Sequence, residues 1–170
     1  MNSYAAAIGT DRIRELMLAT TDQNGLTIEV NAGYSGAGTR SMARGDGTYR
    51  TLDIRFGLGV FTSQYQRKQP RPFGFTGDLP FKTSIAHEVA HAMVNATDRK
   101  LVTKYKSVGW YYSNTVGWRQ GSPDNAWENV ANAIAFYILA DANQRSQLPQ
   151  DVIDFMQNEA LPMLQGTNTP

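Results

Sequence analysis

Two histidines, the only ones among 170 residues, stand four apart in Thr83-Ser84-Ile85-Ala86-His87-Glu88-Val89-Ala90-His91-Ala92-Met93-Val94. No other feature constrains the chain as tightly. The stretch is mostly small or apolar and reads as a helix running to about Thr97, with its cap among Lys82, Thr83 and Ser84. On a helix, residues i and i+4 lie one above the other with Cβ atoms about 5–6 Å apart. Two imidazoles so placed can reach one divalent ion at about 2.0–2.1 Å per nitrogen. Glu88 lies about 100° further round the helix, where its carboxylate would meet a water on that ion rather than the ion itself. This H-E-x-x-H order is the one zinc-dependent proteases use.

A zinc centre of this kind needs one more protein ligand. Ser122-Pro123-Asp124-Asn125-Ala126-Trp127-Glu128 reads as a helix start, and Val130, Ala131, Ile134, Ala135, Tyr137, Ile138 and Leu139 continue it as an apolar, buried helix. A carboxylate at the head of a buried helix costs several kcal/mol unless something compensates it. The helix N-terminus offers only about 0.3–1 kcal/mol, and a divalent cation offers far more. Glu128 is therefore the candidate third ligand; the alternative is a capping-box partner or a surface acid of the first turn. Asn132, one turn on, has an oxygen able to accept the free ring N–H of a ligating histidine. Asp98, two turns beyond His91, is a weaker candidate for the same duty, its alternative being the polar end of the helix.

The rest of the chain predicts a small sheet and further helices. Tyr4 to Thr20 reads as one helix with an apolar side. Leu26 to Asn31 alternates apolar and polar residues and is expected to be a half-buried strand. Gly33 to Gly47 holds five glycines without a phosphate-binding order and reads as a surface loop. Tyr49 to Phe61 is a second strand, with Leu52, Ile54 and Phe56 on one side and Thr51, Asp53 and Arg55 on the other. Gly57 and Gly59 hint at a bulge or a close backbone approach. Residues 62–80 form a long connection, and 98–123 an irregular, basic and aromatic loop. A last helix runs from about Pro149 to Leu164, followed by a frayed tail.

Composition supports an ordinary globular protein: 41% hydrophobic and 18% charged residues, with a formal net charge of +1. Near-neutral charge argues against nucleic acid as a partner, and no run approaches the ~20 apolar residues of a membrane span. The absence of cysteine excludes disulfides, thiolate metal sites and a cysteine nucleophile. No signal peptide is visible at the start, and export with a leader removed, or by another route, is favoured over a cytoplasmic location. No composition break divides the chain. The expected organisation is one domain over 1–170: a helix and sheet part over 1–79, a zinc-binding helical part over 80–164, and a tail over 165–170.

His87-Glu88-Val89-Ala90-His91, followed by Glu128-Asn129-Val130-Ala131-Asn132-Ala133-Ile134-Ala135-Phe136, resembles the gluzincin metallopeptidases. Among these it is most similar to the group of the anthrax lethal factor catalytic domain and the Pro-Pro endopeptidases. The resemblance covers about residues 80–164. It implies an α+β, zincin-like fold: a small twisted sheet packed on the H-E-x-x-H helix, a second helix bearing the third ligand, and a C-terminal helix. It implies His87, His91 and Glu128 as ligands of one Zn²⁺, Glu88 as general base, and a peptide or protein as substrate. Two positions depart from the group. An acid usually stands where this chain has Asn132, and a tyrosine that stabilises the oxyanion stands where this chain has Gly121. Tyr112 is the candidate replacement, with Tyr111 and Arg119 as others. The longer series with a third histidine is excluded, since none exists.

The expected function is a zinc endopeptidase, with an extended substrate adding to an edge presented near Leu52–Phe61. The alternatives are a toxin-like or interaction module that keeps zinc without turnover, and an intracellular regulatory peptidase with one protein target.

Overall fold

The computed structural model describes residues 2–21, 26–34, 36–62, 79–108 and 125–167. Within them the protein is α+β: helices pack against a three-stranded mixed sheet. The helix expected over Tyr4–Thr20 is two, α1 (Asn2–Ile8) and α2 (Thr10–Thr20). Gly9 between them has φ 94°, a conformation that breaks helical geometry and that glycine adopts at little cost. Tyr4, Ile8, Ile13 and Leu16 still face the core, as the apolar periodicity requires.

The sheet has the order β1-β3-β2, with β1 (Thr27–Asn31) parallel and β2 (Ala37–Ala43) antiparallel to β3 (Tyr49–Gly57). This corrects three expectations. The glycine-rich stretch read as a loop contains β2, because its small residues pair with β3 and leave the strand identity to the partner. β3 is paired on both sides, so Leu52–Phe61 presents no edge; among the described residues the outer strands are β1 and β2. β1 is largely exposed rather than half-buried, with Ile28 at 61% and Val30 at 52% exposure. Its alternation is real, since Ile28 and Val30 pair with Ile54 and Phe56 on one face. The helices, however, pack on β2 and β3.

The expected close approach at Gly57 holds: a Cβ there would stand 1.8 Å from the carbonyl oxygen of Tyr34. The irregularity of the ladder falls instead between Arg40 and Ser41. β3 ends at Gly57, and Leu58–Phe61 is a 3₁₀ turn. On the other face of the sheet, Arg40 donates from Nε to both carboxylate oxygens of Asp53 at 2.9 Å, and Arg55 pairs with Glu29 at 3.1 Å.

The motif helix, α3 (Leu79–Ala96), begins before the expected cap, so Thr83 and Ser84 lie within it. It packs against β2, β3, α2 and the second ligand-bearing helix. Long-range hydrogen bonds hold it in place. The buried Tyr4 hydroxyl donates to the carbonyl of Ala86 at 2.7 Å, one residue before His87. The Asn95 amide donates to Ser41 Oγ at 2.8 Å and Thr51 Oγ1 at 2.9 Å, tying the end of the helix to β2 and β3.

Part of the expected irregular loop is helical, namely α4 (Lys100–Tyr105). Leu101 and Tyr105, at i and i+4 among basic residues, form its buried side, and Tyr105 meets Phe155 edge-on at 4.8 Å. The remainder, 109–124, lies outside the described residues, as does 63–78 of the long connection. The buried helix is α5 (Ala126–Leu139), apolar almost all round as expected, with Asn129 and Asn132 as its buried polar residues. After the short α6 (Ala142–Arg145), the last helix is interrupted: α7 (Gln150–Phe155), a π-helical stretch (Met156–Ala160) and α8 (Leu161–Gln165). Pro162, with no N–H to give to the preceding turn, sits just beyond the widened stretch. Buried residues from Tyr4 to Leu164 form one hydrophobic cluster. Among the described residues, no helix is long and apolar enough to cross a membrane.

Candidate metal centre

The two histidines of α3 face the same way because of their i, i+4 spacing. Their rings meet edge-on, with centroids 4.5 Å apart, and the two Nε2 atoms are 3.0 Å apart. Asn125 is the N-cap of α5; Ser122, the expected cap, lies outside the described residues. The Asn125 side chain accepts the backbone N–H of Glu128 at 3.4 Å. This cap sets Glu128 one turn into the helix, facing α3. Glu128 Oε2 stands 3.1 Å from His87 Nε2 and 3.5 Å from His91 Nε2.

One nitrogen from each histidine and one carboxylate oxygen thus converge, and His87, His91 and Glu128 can together hold a single metal ion. Ligands at about 2.0–2.1 Å in a tetrahedral array stand about 3.3 Å from one another. The observed 3.0, 3.1 and 3.5 Å bracket that spacing. Two imidazoles with one carboxylate are also a donor set that catalytic zinc takes, with a fourth position left over. Both histidines are buried, and Glu128 nearly so.

The electrostatics of the cluster set the two histidines apart. Burial and the charge of His87 push His91 down to about 4. Burial also opposes charge on His87, but the Glu128 carboxylate bonded to it, with the charges of Glu88 and Glu128, raises it above the usual histidine value. Burial pushes Glu128 up, yet its bonds from His87 and His91 hold it well below the usual carboxylate range. A divalent cation bound here would require both imidazoles neutral at the ligating nitrogen and Glu128 ionised.

Glu88 is buried and lies outside the converging triad. Its Oε2 accepts the Thr39 hydroxyl at 2.8 Å, and the same hydroxyl oxygen is 2.9 Å from the Glu88 backbone carbonyl. Burial raises its pKa above that of a free glutamate, partly offset by His87 and Thr39. A carboxyl group raised in this way is better able to accept and return a proton than a free glutamate. Asn132 is buried one turn beyond Glu128, and its side chain acts on His87 in the direction that favours the protonated ring. Asp98 is exposed at the end of α3, in a left-handed conformation with φ 51°. Tyr112, its alternatives Tyr111 and Arg119, and Gly121 lie outside the described residues.

Four residues of this neighbourhood escape the sequence reading. Thr39 comes from β2, a strand read as a loop. Trp127 stacks on His91, with ring centroids 4.4 Å apart and planes 23° from parallel. The Arg99 guanidinium lies 4.3 Å over the Trp127 ring and 3.8 Å over the Tyr49 ring. Only Trp127 carried a signal, as the aromatic neighbour of a candidate ligand. Comparison with protein-family models, with curated proteins and with solved structures gives no match for this chain.

Proposed function

We propose that the protein is a zinc-dependent endopeptidase of the gluzincin type. The observation that carries this reading is the meeting of His87 Nε2, His91 Nε2 and Glu128 Oε2 within 3.5 Å, with Glu88 held beside them by Thr39. His87, His91 and Glu128 would hold the ion. Bound zinc supplies Lewis acidity, which brings the pKa of water to about 7 and polarises a carbonyl. Glu88 takes the proton of the attacking water on its carboxylate and delivers it to the leaving amine. Thr39 keeps one Glu88 oxygen occupied and so orients the other. Asn132, one turn beyond Glu128, is the residue we assign to orienting the ring of His87. β2, whose Thr39 reaches Glu88, is an outer strand among the described residues, and an extended peptide adding to it would pass the general base.

The test compares the native chain with Glu88→Gln for zinc content and for cleavage of a peptide library. Native protein should bind one zinc ion and cleave, while Glu88→Gln should bind zinc and cleave nothing. A native chain that holds zinc but cleaves no peptide or protein would overturn the peptidase reading. It would favour the second one, a zinc-holding interaction module, to which Asn132 and Gly121 point as departures from the resembling enzymes.

A further inference from the structure

Metal-ligating histidines usually give their second ring nitrogen to a hydrogen-bond partner that fixes the plane of the ring. His91 Nδ1 is buried and has no such partner among the described residues. Its ring is held in another way. One face lies against Trp127, Trp127 lies against the Arg99 guanidinium, and Arg99 lies against Tyr49. The order ring, ring, cation, ring joins α3 to α5 and to β3.

The backbone at Arg99 shows what this arrangement demands. Asp98 and Arg99 are consecutive non-glycine residues with φ 51° and 58°. Asparagine and aspartate tolerate the left-handed region, whereas arginine is seldom found there. The turn places the guanidinium between two rings instead of letting it extend into water, and the Arg99 N–H bonds back to the carbonyl of Val94 at 3.1 Å. An unusual conformation held by its surroundings at a site is a reason to look for a task.

We propose that Arg99 is a positioning residue of the metal centre: acting through Trp127, it fixes the ring of His91 and the placement of Glu128. Trp127 and Glu128 are adjacent in sequence, so clamping Trp127 between His91 and Arg99 sets the head of α5 on α3. The third ligand then meets the first two at 3.1 and 3.5 Å. This rests on the zinc reading above and adds to it the device that assembles the site.

The experiment measures zinc affinity by competition with a chromophoric chelator, and the visible ligand-field spectrum of the Co²⁺-loaded protein. The proteins are the native chain, Trp127→Phe, Trp127→Ala, Arg99→Gly and the double variant Arg99→Gly/Trp127→Ala. Glycine accepts the left-handed conformation, so Arg99→Gly removes the guanidinium without opposing the turn. Trp127→Ala and Arg99→Gly should each weaken zinc about 10–100-fold and shift the Co²⁺ spectrum, while Trp127→Phe, which keeps a ring, stays near native. Because Arg99 acts through Trp127, the double variant should bind zinc as Trp127→Ala does. Native affinity and spectrum in Arg99→Gly would overturn the proposal, as would losses that multiply in the double variant. A native chain that binds no zinc overturns the metal reading itself; native-like variants beside a zinc-binding parent overturn only the stack.

Discussion

Thr39 on β2 and Glu88 on α3 meet through one hydroxyl, 2.8 Å from the carboxylate and 2.9 Å from the carbonyl of the same glutamate. The contact joins the sheet to the motif helix at the residue proposed as general base. Thr39→Val keeps the shape and removes the donor, leaving a buried carboxylate short of a partner at a cost of about 1–3 kcal/mol. Peptide turnover should fall roughly tenfold or more, with zinc content unchanged and KM little altered. Thr39→Ser should restore most of the rate. Steady-state kinetics with metal analysis checks this; a Thr39→Val enzyme as fast as native would show the contact to be idle.

Zinc binding and catalysis should separate by residue. Glu128→Ala removes a ligand and should lose zinc by orders of magnitude in affinity, whereas Glu88→Gln should retain it. Thermal unfolding gives a reading independent of turnover. Zinc at about 100 times its Kd adds roughly 2.7 kcal/mol of stability, so it should raise the Tm of native and Glu88→Gln protein and leave Glu128→Ala unmoved.

The sheet should show its own acid sensitivity. The Arg40 hydrogen bonds hold the carboxyl of Asp53 below its usual pKa, against burial, with the charges of Arg40 and Arg55 assisting. A folded-state pKa below the unfolded value means that Asp53 binds its proton more readily in the unfolded chain. Its contribution is then complete above the unfolded value of about 3.9 and is lost as pH falls through the lower folded value. Asp53→Asn should therefore lower Tm at pH 7, and the gap to native should close as acid protonates Asp53. A gap of constant size from pH 7 to the acid limit would rule this out.

Tyr4 anchors α1 to the motif helix through a buried hydroxyl, and burial keeps that hydroxyl neutral by raising its pKa. Tyr4→Phe should cost about 1–2 kcal/mol, leaving the Ala86 carbonyl short of a donor. Chemical denaturation should show a lower midpoint at unchanged slope. Zinc affinity should drop less than in the Arg99 and Trp127 variants, because Tyr4 holds the helix and not the ring.

Some of the architecture was legible because its signal is local. The spacing of His87 and His91, the apolar circumference of α5 and the carboxylate at its head all follow from helical periodicity, which needs no partner. Of the two glycines that hinted at a close approach, Gly57 at the end of β3 makes one, whereas a Cβ at Gly59 would meet open space. Other readings failed where the answer lay in another segment. Gly33 to Gly47 resembles a loop until β3 supplies the hydrogen bonds that make β2 a strand. Ile28 and Val30 alternate like buried residues, but β1 lies at the margin of the sheet, beyond what the helices cover. Leu101 and Tyr105 were hidden among lysines, and the break at Gly9 depends on a backbone angle that one letter does not reveal.

What the sequence by itself determined is the pair of imidazoles on one helical face, the glutamate beside them and the candidate ligand on a second helix. Each is a matter of spacing along a single element. Only the tertiary structure decided that Glu128 reaches both histidines, that Thr39 holds Glu88, and that Tyr49, Arg99 and Trp127 stack upon His91. Those contacts join residues far apart in the chain. Their formation depends on how the helices and the sheet pack against one another, which no local pattern encodes.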